Sequence, residues 1–494
     1  MIAAPELKRA LPEAVGINPK GIERFMELVY ERQIALHSFM LLRHGKVAAE
    51  AYYAPFRRGE LHHIFSISKS VTSAAVGIAI GEGRFGLQDK AADLLRRHVT
   101  GEVHPYTAQM TVEHLLKMAT VYRRAPYSEA EGWINLYLTS PPQHPPGFSF
   151  AYDTAGTNML CAIVQETTGQ TVHEYLQPRL FDAIGMGPLE WKSCAGNINN
   201  GGSGIRCTTD GLARLGQLYL QGGIWDGKRV LPEGWVDRST ARQVDNSGAK
   251  TMLDGKPGYG YQFWRLRNNA YCAFGLGGQF VVVMPDCDAV FVSTANTQFV
   301  RDGQQQILDC LWEALYPAMK EMASDGAGSA NGVSLAGASG SAADGELAKR
   351  LASLQLSLPP GQAHSEPAAQ VNRRTYRLHD NRYGFTACTF DFAGQASTLS
   401  FTRAPGAEEV ILGFGIHHWV TGTDRVFSGT ESCCSAATWV DGQTCIIHMH
   451  LLDTVQMVML ICHFEADTMM IQIVMPGIYF NEEMECDLIG AASE

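Results

Sequence analysis

No stretch of this 494-residue chain approaches the roughly 20 consecutive apolar residues that a bilayer-spanning helix needs. Its richest apolar runs, such as Val455–Cys462, stop far short. The start, Met1-Ile2-Ala3-Ala4-Pro5-Glu6-Leu7-Lys8-Arg9, lacks a charged opening followed by an apolar core, so no secretory signal is expected and a cytoplasmic location is. Basic charge is scarce. Lys and Arg number 39 against 50 Asp and Glu, a formal net charge of −11, which argues against nucleic acid or a membrane surface as a partner. The 12 cysteines show no short repeating spacing, and their one close pair is Cys433-Cys434. They read as reduced, buried, small hydrophobes rather than a disulfide framework. A phosphate loop is missing too. The glycine-rich segment 195–205 lacks both the strand–loop–helix setting and a spaced Gly-Lys, so it reads as a flexible, turn-rich loop without nucleotide.

What the chain does have is length for two or three domains and 46% hydrophobic residues, ordinary for a substantial core. The clearest boundary is residues 323–345, where 18 of 23 are Ala, Gly or Ser. Such a segment cannot bury enough apolar surface to offset its ordering entropy. A short helix near Glu346–Leu356 and the Pro359-Pro360-Gly361 break extend this spacer. The expected organisation is a catalytic domain over 1–322, a linker over 323–372 and an all-β domain over 373–494. In the last of these, seven or eight short β-branched, aromatic and Met runs alternate with Gly, Asp and Asn, as in a small barrel or sandwich.

Within the first domain an amphipathic helix is expected over 19–34 and a hairpin around His44-Gly45. Thr111 caps a helix whose His114 reads as a packing residue rather than a metal ligand. A helix runs from the Tyr152 region to Thr168 and stops at Gly169, and another covers Asp210–Gln221. Tyr271–Met284 and Ala289–Thr294 read as adjacent strands, followed by a closing helix over Gln304–Lys320.

The stretch from Phe65 to Ile80 reads as chemistry and structure at once. Val71, Ala74, Ala75, Ile78 and Ala79 recur at helical spacing, and Gly81 and Gly83 end the pattern. Ser66 and Lys69 stand three residues apart at its start, on one face. A serine hydroxyl is a weak nucleophile until something takes its proton, and a lysine kept partly neutral by burial can do so. The helix N-terminus adds N–H groups where an acyl oxyanion would form. Alone, Ser-x-x-Lys is equally a helix start with a solvated lysine. Two later stretches give it context. Tyr152, in Phe150-Ala151-Tyr152-Asp153-Thr154, supplies a second proton carrier if a nearby ammonium favours its phenolate; otherwise it is one of 17 tyrosines. In Ala273-Phe274-Gly275-Leu276-Gly277-Gly278, glycines within a strand mark close approach of another backbone or a ligand, or else a bulge.

Together, in this order, these stretches resemble the serine hydrolases related to class C β-lactamases, D-aminopeptidases and family VIII esterases, over roughly residues 10–320. The resemblance implies an α+β fold of the β-lactamase/transpeptidase type: an antiparallel sheet flanked by helices, with a helical subdomain and the site between them. It implies an acyl-enzyme on Ser66, with Lys69 and Tyr152 as the proton network and the N–H groups of Ser66 and Leu276 as oxyanion hole. Gly275, Gly277 and Thr154 complete the substrate-binding set. No metal or organic cofactor is called for. This chain departs from the family where Tyr-x-Asn becomes Tyr152-Asp153-Thr154 and where Lys-Thr-Gly becomes Ala273-Phe274-Gly275. The second change removes the cation that would hold a penicillin-type carboxylate. His62, His63, Arg123 and Arg124 are alternative sources of positive charge near Tyr152.

The C-terminal domain resembles the lipocalin-like barrels appended to some of these hydrolases, which plug or shape the active-site mouth or pair subunits into homo-oligomers. His448 and His450 share one side of a strand, as a metal pair would, with no third ligand in view. The leading expectation is hydrolysis of a small amide, peptide or ester. The alternatives are a true β-lactamase or D,D-carboxypeptidase, and a non-catalytic ligand-binding protein on a degenerate site.

Overall fold

The computed structural model describes residues 5–248, 254, 257–326, 342–365, 368–392, 396–403, 409–424, 431–475 and 484–492. The chain divides into two compact units. The first takes in the chain up to Tyr52, Arg58–Ala295 and Asp302–Leu354; the second takes in Tyr53–Arg57, Asn296–Arg301 and the chain from Gln355 on. Most of the Ala/Gly/Ser-rich stretch, residues 327–341, lies outside the described residues. A helix over Ala342–Ala352 follows it.

A six-stranded sheet organises the first unit, in the order Trp264–Arg265, Tyr271–Gly275, Gln279–Met284, Ala289–Asn296, Ala35–Arg43, Lys46–Tyr52. The expected hairpin turns at His44-Gly45, where both φ angles are positive (52° and 70°). This is the turn whose twist suits paired strands. The single strand expected over 271–284 is two antiparallel strands. Gly277 and Gly278, at φ 83° and 97°, reverse the chain between them. Side-chain alternation gives the sheet two apolar faces. Phe291 and Phe39 meet Phe25 of the Pro19–Glu31 helix. On the opposite face Val290 and Val281 meet the Thr209–Leu220 helix at Gly216, where a Cβ would stand 2.5 Å from Val290. Only glycine lets that helix lie so close. Between Gly81 and Leu189 the chain adds no strand to this sheet and builds the helical subdomain, whose longest member is Thr154–Thr168. The fold is therefore of the β-lactamase/transpeptidase type. No described helix is long and apolar enough to cross a membrane.

The second unit is a closed barrel. Nine strands from Thr375–Leu378 to Met484–Ala492 pair side by side, and parallel pairing of Gly415 with Ala436 and Ile416 with Ala437 closes the ring. Val420–Asp424 is a further strand beside Glu431–Trp439. The ring thus has more strands than the seven or eight expected. Thr375–Leu378, Val420–Asp424 and Met484–Ala492 are short or carry small and charged residues, so their alternation was weak. Inside, Phe385 stacks on Phe401 at 4.5 Å and Phe390 meets Phe464 at 5.1 Å, edge to face. The barrel is packed with its own side chains. The cysteines from Cys161 to Cys462 are free and buried. His450 packs edge-on against Trp419, and no described His, Cys, Asp or Glu cluster is arranged to hold a metal.

Candidate active site

The helix carrying Ser66 and Lys69 spans Ile67–Gly81 and is buried through Ala79. Val71, Val76 and Ile78 fill its apolar sides, each contributing about 1.5–3 kcal/mol on burial. Its polar residues anchor the neighbouring loops. Ser70 Oγ donates to the Gln262 carbonyl at 2.6 Å, Ser68 Oγ accepts from the Ile205 N–H at 3.1 Å, and Thr72 Oγ1 donates to the Gly201 carbonyl at 3.3 Å. Ser66 sits just before the helix. The residue before it, Phe65, is left-handed at φ 46°. For a non-glycine residue that costs about 1–3 kcal/mol and needs surrounding support. His63 supplies it, stacking on Phe65 at 3.9 Å and donating from Nε2 to the Ser203 carbonyl at 2.5 Å.

Lys69 is 1% exposed. Its Nζ lies 3.0 Å from Ser66 Oγ and 2.6 Å from the Gly202 carbonyl. Burial brings the amine down to about 7, with the Asp153 charge opposing. Tyr152 joins this pair through Lys69: its ring centroid lies 4.9 Å from Lys69 Nζ. The ring is 40% exposed. Desolvation nevertheless dominates at the hydroxyl and pushes the phenol above its ordinary value, with the nearby Ser66 hydroxyl opposing. The expected phenolate is therefore not favoured here. Arg123 and Arg124 are not among the groups that shift either Lys69 or Tyr152. Arg123 and Arg124 are exposed, their backbone N–H groups bonded to Gln143.

Asp153 turns away from Ser66. It caps the Thr154–Thr168 helix through Gly156 N–H at 2.7 Å and accepts from Tyr137 and Thr120 hydroxyls at 2.7 and 3.2 Å. Thr154 places its methyl toward Gly202, where a Cβ would stand 2.4 Å away. Gly275 backs directly onto the turn that leads into Ser66, since a Cβ there would meet the Ile64 carbonyl at 2.2 Å. Leu276 follows, half-buried, its carbonyl accepting from Gln279 Nε2 at 2.9 Å, and Gly277 begins the reversal. The structure thus gathers Ser66, Lys69 and Tyr152 by direct contact, Thr154 by way of Gly202, and Gly275 by way of Ile64.

The segment expected to be flexible, 195–205, is instead a buried wall of the site. Asn199 and Asn200 are 3% and 2% exposed. Gly202 is held from both sides, its N–H by Asn158 Oδ1 at 2.9 Å and its carbonyl by Lys69. Its glycines serve close packing: at Gly201 a Cβ would lie 2.3 Å from Cys161 Sγ. Turn-rich composition alone does not separate this case from a mobile loop. Sequence reasoning also passed over Gln262. This buried residue, at φ 66°, bonds to Thr157 at 2.9 Å and to the Leu116 carbonyl at 2.8 Å. Two residues on, Trp264 stacks on Tyr152 at 5.5 Å and meets Tyr259 edge-on at 5.0 Å. A lone glutamine in the aromatic run Tyr259-Gly260-Tyr261-Gln262-Phe263-Trp264 was the available signal. Thr111 caps its helix as expected, and His114, expected only to pack, completes the capping box with it.

Residues 22–308 match the model of the Beta-lactamase family. A 6-aminohexanoate-dimer hydrolase from Paenarthrobacter ureafaciens is 27% identical over 286 residues, covering 52% of this chain and 72% of the relative. Among solved structures, a Bacillus anthracis protein provisionally named a 6-aminohexanoate-dimer hydrolase aligns at TM-score 0.52 and 19% identity, over 65% of this chain and 89% of its own. A Bacteroides dorei protein provisionally named a beta-lactamase aligns at TM-score 0.50 and 15% identity, over 62% and 97%.

Proposed function

Because the chain belongs to the beta-lactamase family, we propose that it is a serine hydrolase cleaving a small amide or ester through an acyl-enzyme on Ser66. One observation carries this reading: a buried lysine amine, brought near 7, lies 3.0 Å from the serine hydroxyl. As Ser66 Oγ attacks the carbonyl carbon, its proton passes to Lys69 Nζ. The neutral Tyr152 phenol donates a proton to the departing amine or alkoxide and takes one in turn from the Lys69 ammonium, which holds the proton that Ser66 gave up. The oxyanion is met by the N–H groups of Ser66 and Leu276. Gly275 and Gly277 let the substrate approach the strand, and Thr154 offers a hydroxyl. Water then takes the leaving group's place, the same groups act in reverse, and the acyl group departs. The family relative that hydrolyses 6-aminohexanoate dimer makes a small linear amide the first substrate class to screen. Efficient penicillin hydrolysis is not part of this reading, because Ala273 and Phe274 are buried and uncharged where a carboxylate would need a cation. We place the enzyme in the cytoplasm, with subunit pairing as a further role for the barrel.

The test is hydrolysis of a short p-nitrophenyl ester and of linear amides by wild type and Ser66→Ala, with the mass of the adduct formed by a fluorophosphonate. Turnover that vanishes in the variant, with labelling at Ser66, is the expected result. Equal rates in both proteins on esters and amides alike would move the assignment to a ligand-binding protein.

A further inference from the structure

We propose that Asn158 is a positioning residue, fixing the Gly202 peptide so that the Gly202 carbonyl aims the Lys69 amine at Ser66. This rests on the acyl-transfer reading, in which Lys69 receives the serine proton. Asn158 lies one helical turn beyond Thr154 and is fully buried. Its Oδ1 accepts the Gly202 N–H at 2.9 Å, the Gly202 carbonyl accepts from Lys69 Nζ at 2.6 Å, and Nζ lies 3.0 Å from Ser66 Oγ. The amide this chain lacks at position 154 thus stands at 158, acting through one peptide unit.

A neutral amine carries two N–H bonds and one lone pair. Holding one N–H on the Gly202 carbonyl fixes rotation about Cε–Nζ and leaves the lone pair to face Ser66. When Ser66 O–H breaks, its electron pair goes to the forming Oγ–acyl bond and its proton makes a third N–H on Nζ. The resulting ammonium keeps its bond to Gly202, now charge-assisted and stronger. The peptide has one seat. A side chain at 202 would strike the Thr154 methyl at 2.4 Å, and the neighbouring Gly201 is locked against Cys161 and Thr72. Among the described residues Asn158 Nδ2 bonds only to Cys194 Sγ, at 3.8 Å, so its carbonyl oxygen is the end that bears the load. The titratable groups facing Lys69 are Ser66 on its own helix and Tyr152 and Asp153 ahead of the Thr154–Thr168 helix; the 200–204 loop offers the Gly202 carbonyl.

The test compares wild type with Asn158→Leu and Asn158→Asp on the short ester, each checked for a cooperative melt. Wild-type kcat rises with pH as the amine loses its proton near 7. Leucine cannot accept the Gly202 N–H, so kcat falls roughly 10- to 100-fold with KM little changed. Aspartate accepts that N–H again and adds a negative charge near the amine. Its kcat recovers at high pH, with the rising limb displaced upward by about one pH unit or more. A leucine variant with wild-type kcat, or an aspartate variant whose limb stays with wild type, overturns the proposal. Where the leucine variant does not fold, the limb of the aspartate variant decides alone. Ester hydrolysis indifferent to Ser66→Ala would instead remove the acyl-transfer reading, and this proposal with it.

Discussion

Inside the barrel, the strand faces turned to the centre carry Phe390, Leu399, Phe401, Leu412, Phe414, Ile447, Leu460, Phe464 and Ile471, all at 3% exposure or less. Around the nucleophile helix the residues are just as buried, but they include Ser68, Lys69, Ser70, Thr72, Asp153, Thr157, Asn158, Asn200 and Gln262. Burying a polar group costs free energy unless it is bonded, and burying a charge costs more. Among the described residues the barrel meets that cost at fewer places, Ser397, Ser435, Thr438 and His450. The hydrolase unit meets it with a network in which nearly every polar side chain holds a loop, a helix end or Lys69. The region where stability is given up is the region that brings an amine down to about 7 beside a serine.

The sharpest way to break this contrast is to make the hydrolase interior apolar. If Lys69 takes the serine proton as proposed, Lys69→Met should abolish ester hydrolysis, by roughly a thousandfold or more. It should also stabilise the protein. The amine is about 7 when folded against 10.5 ordinarily, so the unfolded chain binds the proton more readily between those values. Wild-type stability therefore falls as pH drops from 10.5 to 7 and loses nothing more from this group below that. Methionine removes the effect, so the variant's advantage should be on the order of a few kcal/mol below pH 7 and should shrink above pH 10. Urea melts at the two extremes check it. An advantage that does not change with pH would mean Lys69 is charged in the folded protein.

The reverse operation acts on the barrel. Trp439 is 2% exposed and packs between Phe392 and Phe464, at 5.6 and 5.9 Å. Trp439→Ala should cost about 3–5 kcal/mol through the cavity it leaves. Below the melting temperature, labelling of Ser66 by a fluorophosphonate should keep its wild-type rate. A labelling rate that fell with the barrel core would show that the two interiors are energetically one.

The contrast also explains what was legible beforehand. Helices with a periodic apolar face, such as Ile67–Gly81 and Thr209–Leu220, announced themselves, and so did caps such as Thr111. That Ser66, Lys69 and Tyr152 lie together was expected from the family resemblance that their motifs carry. Gly277 and Gly278 were seen, but their reversal of the chain depends on two positive φ angles that composition does not reveal. The roles of Asn158 and Gly202 were not legible, and Gln262 left only its place in an aromatic run as a signal. Their work is done by contacts across 44 residues in one case and 105 in another, which no local pattern encodes.

A smaller effect separates the charge of Asp153 from its shape. Asp153→Asn keeps a cap for Gly156 and removes the negative charge that favours the Lys69 ammonium. Losing that charge makes the amine easier to deprotonate, so the rising limb of kcat against pH should move to lower pH, by a fraction of a unit to about one unit. A shift upward, or none with a normal melt, would mean the carboxyl is already neutral in the folded enzyme.

The smallest expected effect lies at Thr154, where the network and the substrate side meet. Its methyl rests against Gly202, while its hydroxyl has no hydrogen bond among the described residues. Thr154→Val keeps the methyl and replaces only the hydroxyl, so the Gly202 peptide and the Lys69 amine should stay where they are. If the hydroxyl serves the substrate, KM should rise roughly three- to tenfold, the worth of one ordinary hydrogen bond, with kcat unchanged. Thr154→Ser does the opposite, keeping the hydroxyl and opening space beside Gly202. Its signature should be a modest fall in kcat with KM intact, because loosening that peptide loosens the hold on Lys69. The two variants exchange KM and kcat effects only if one side chain serves both the substrate and the buried network, and a pair that changed the same parameter would show that it serves one.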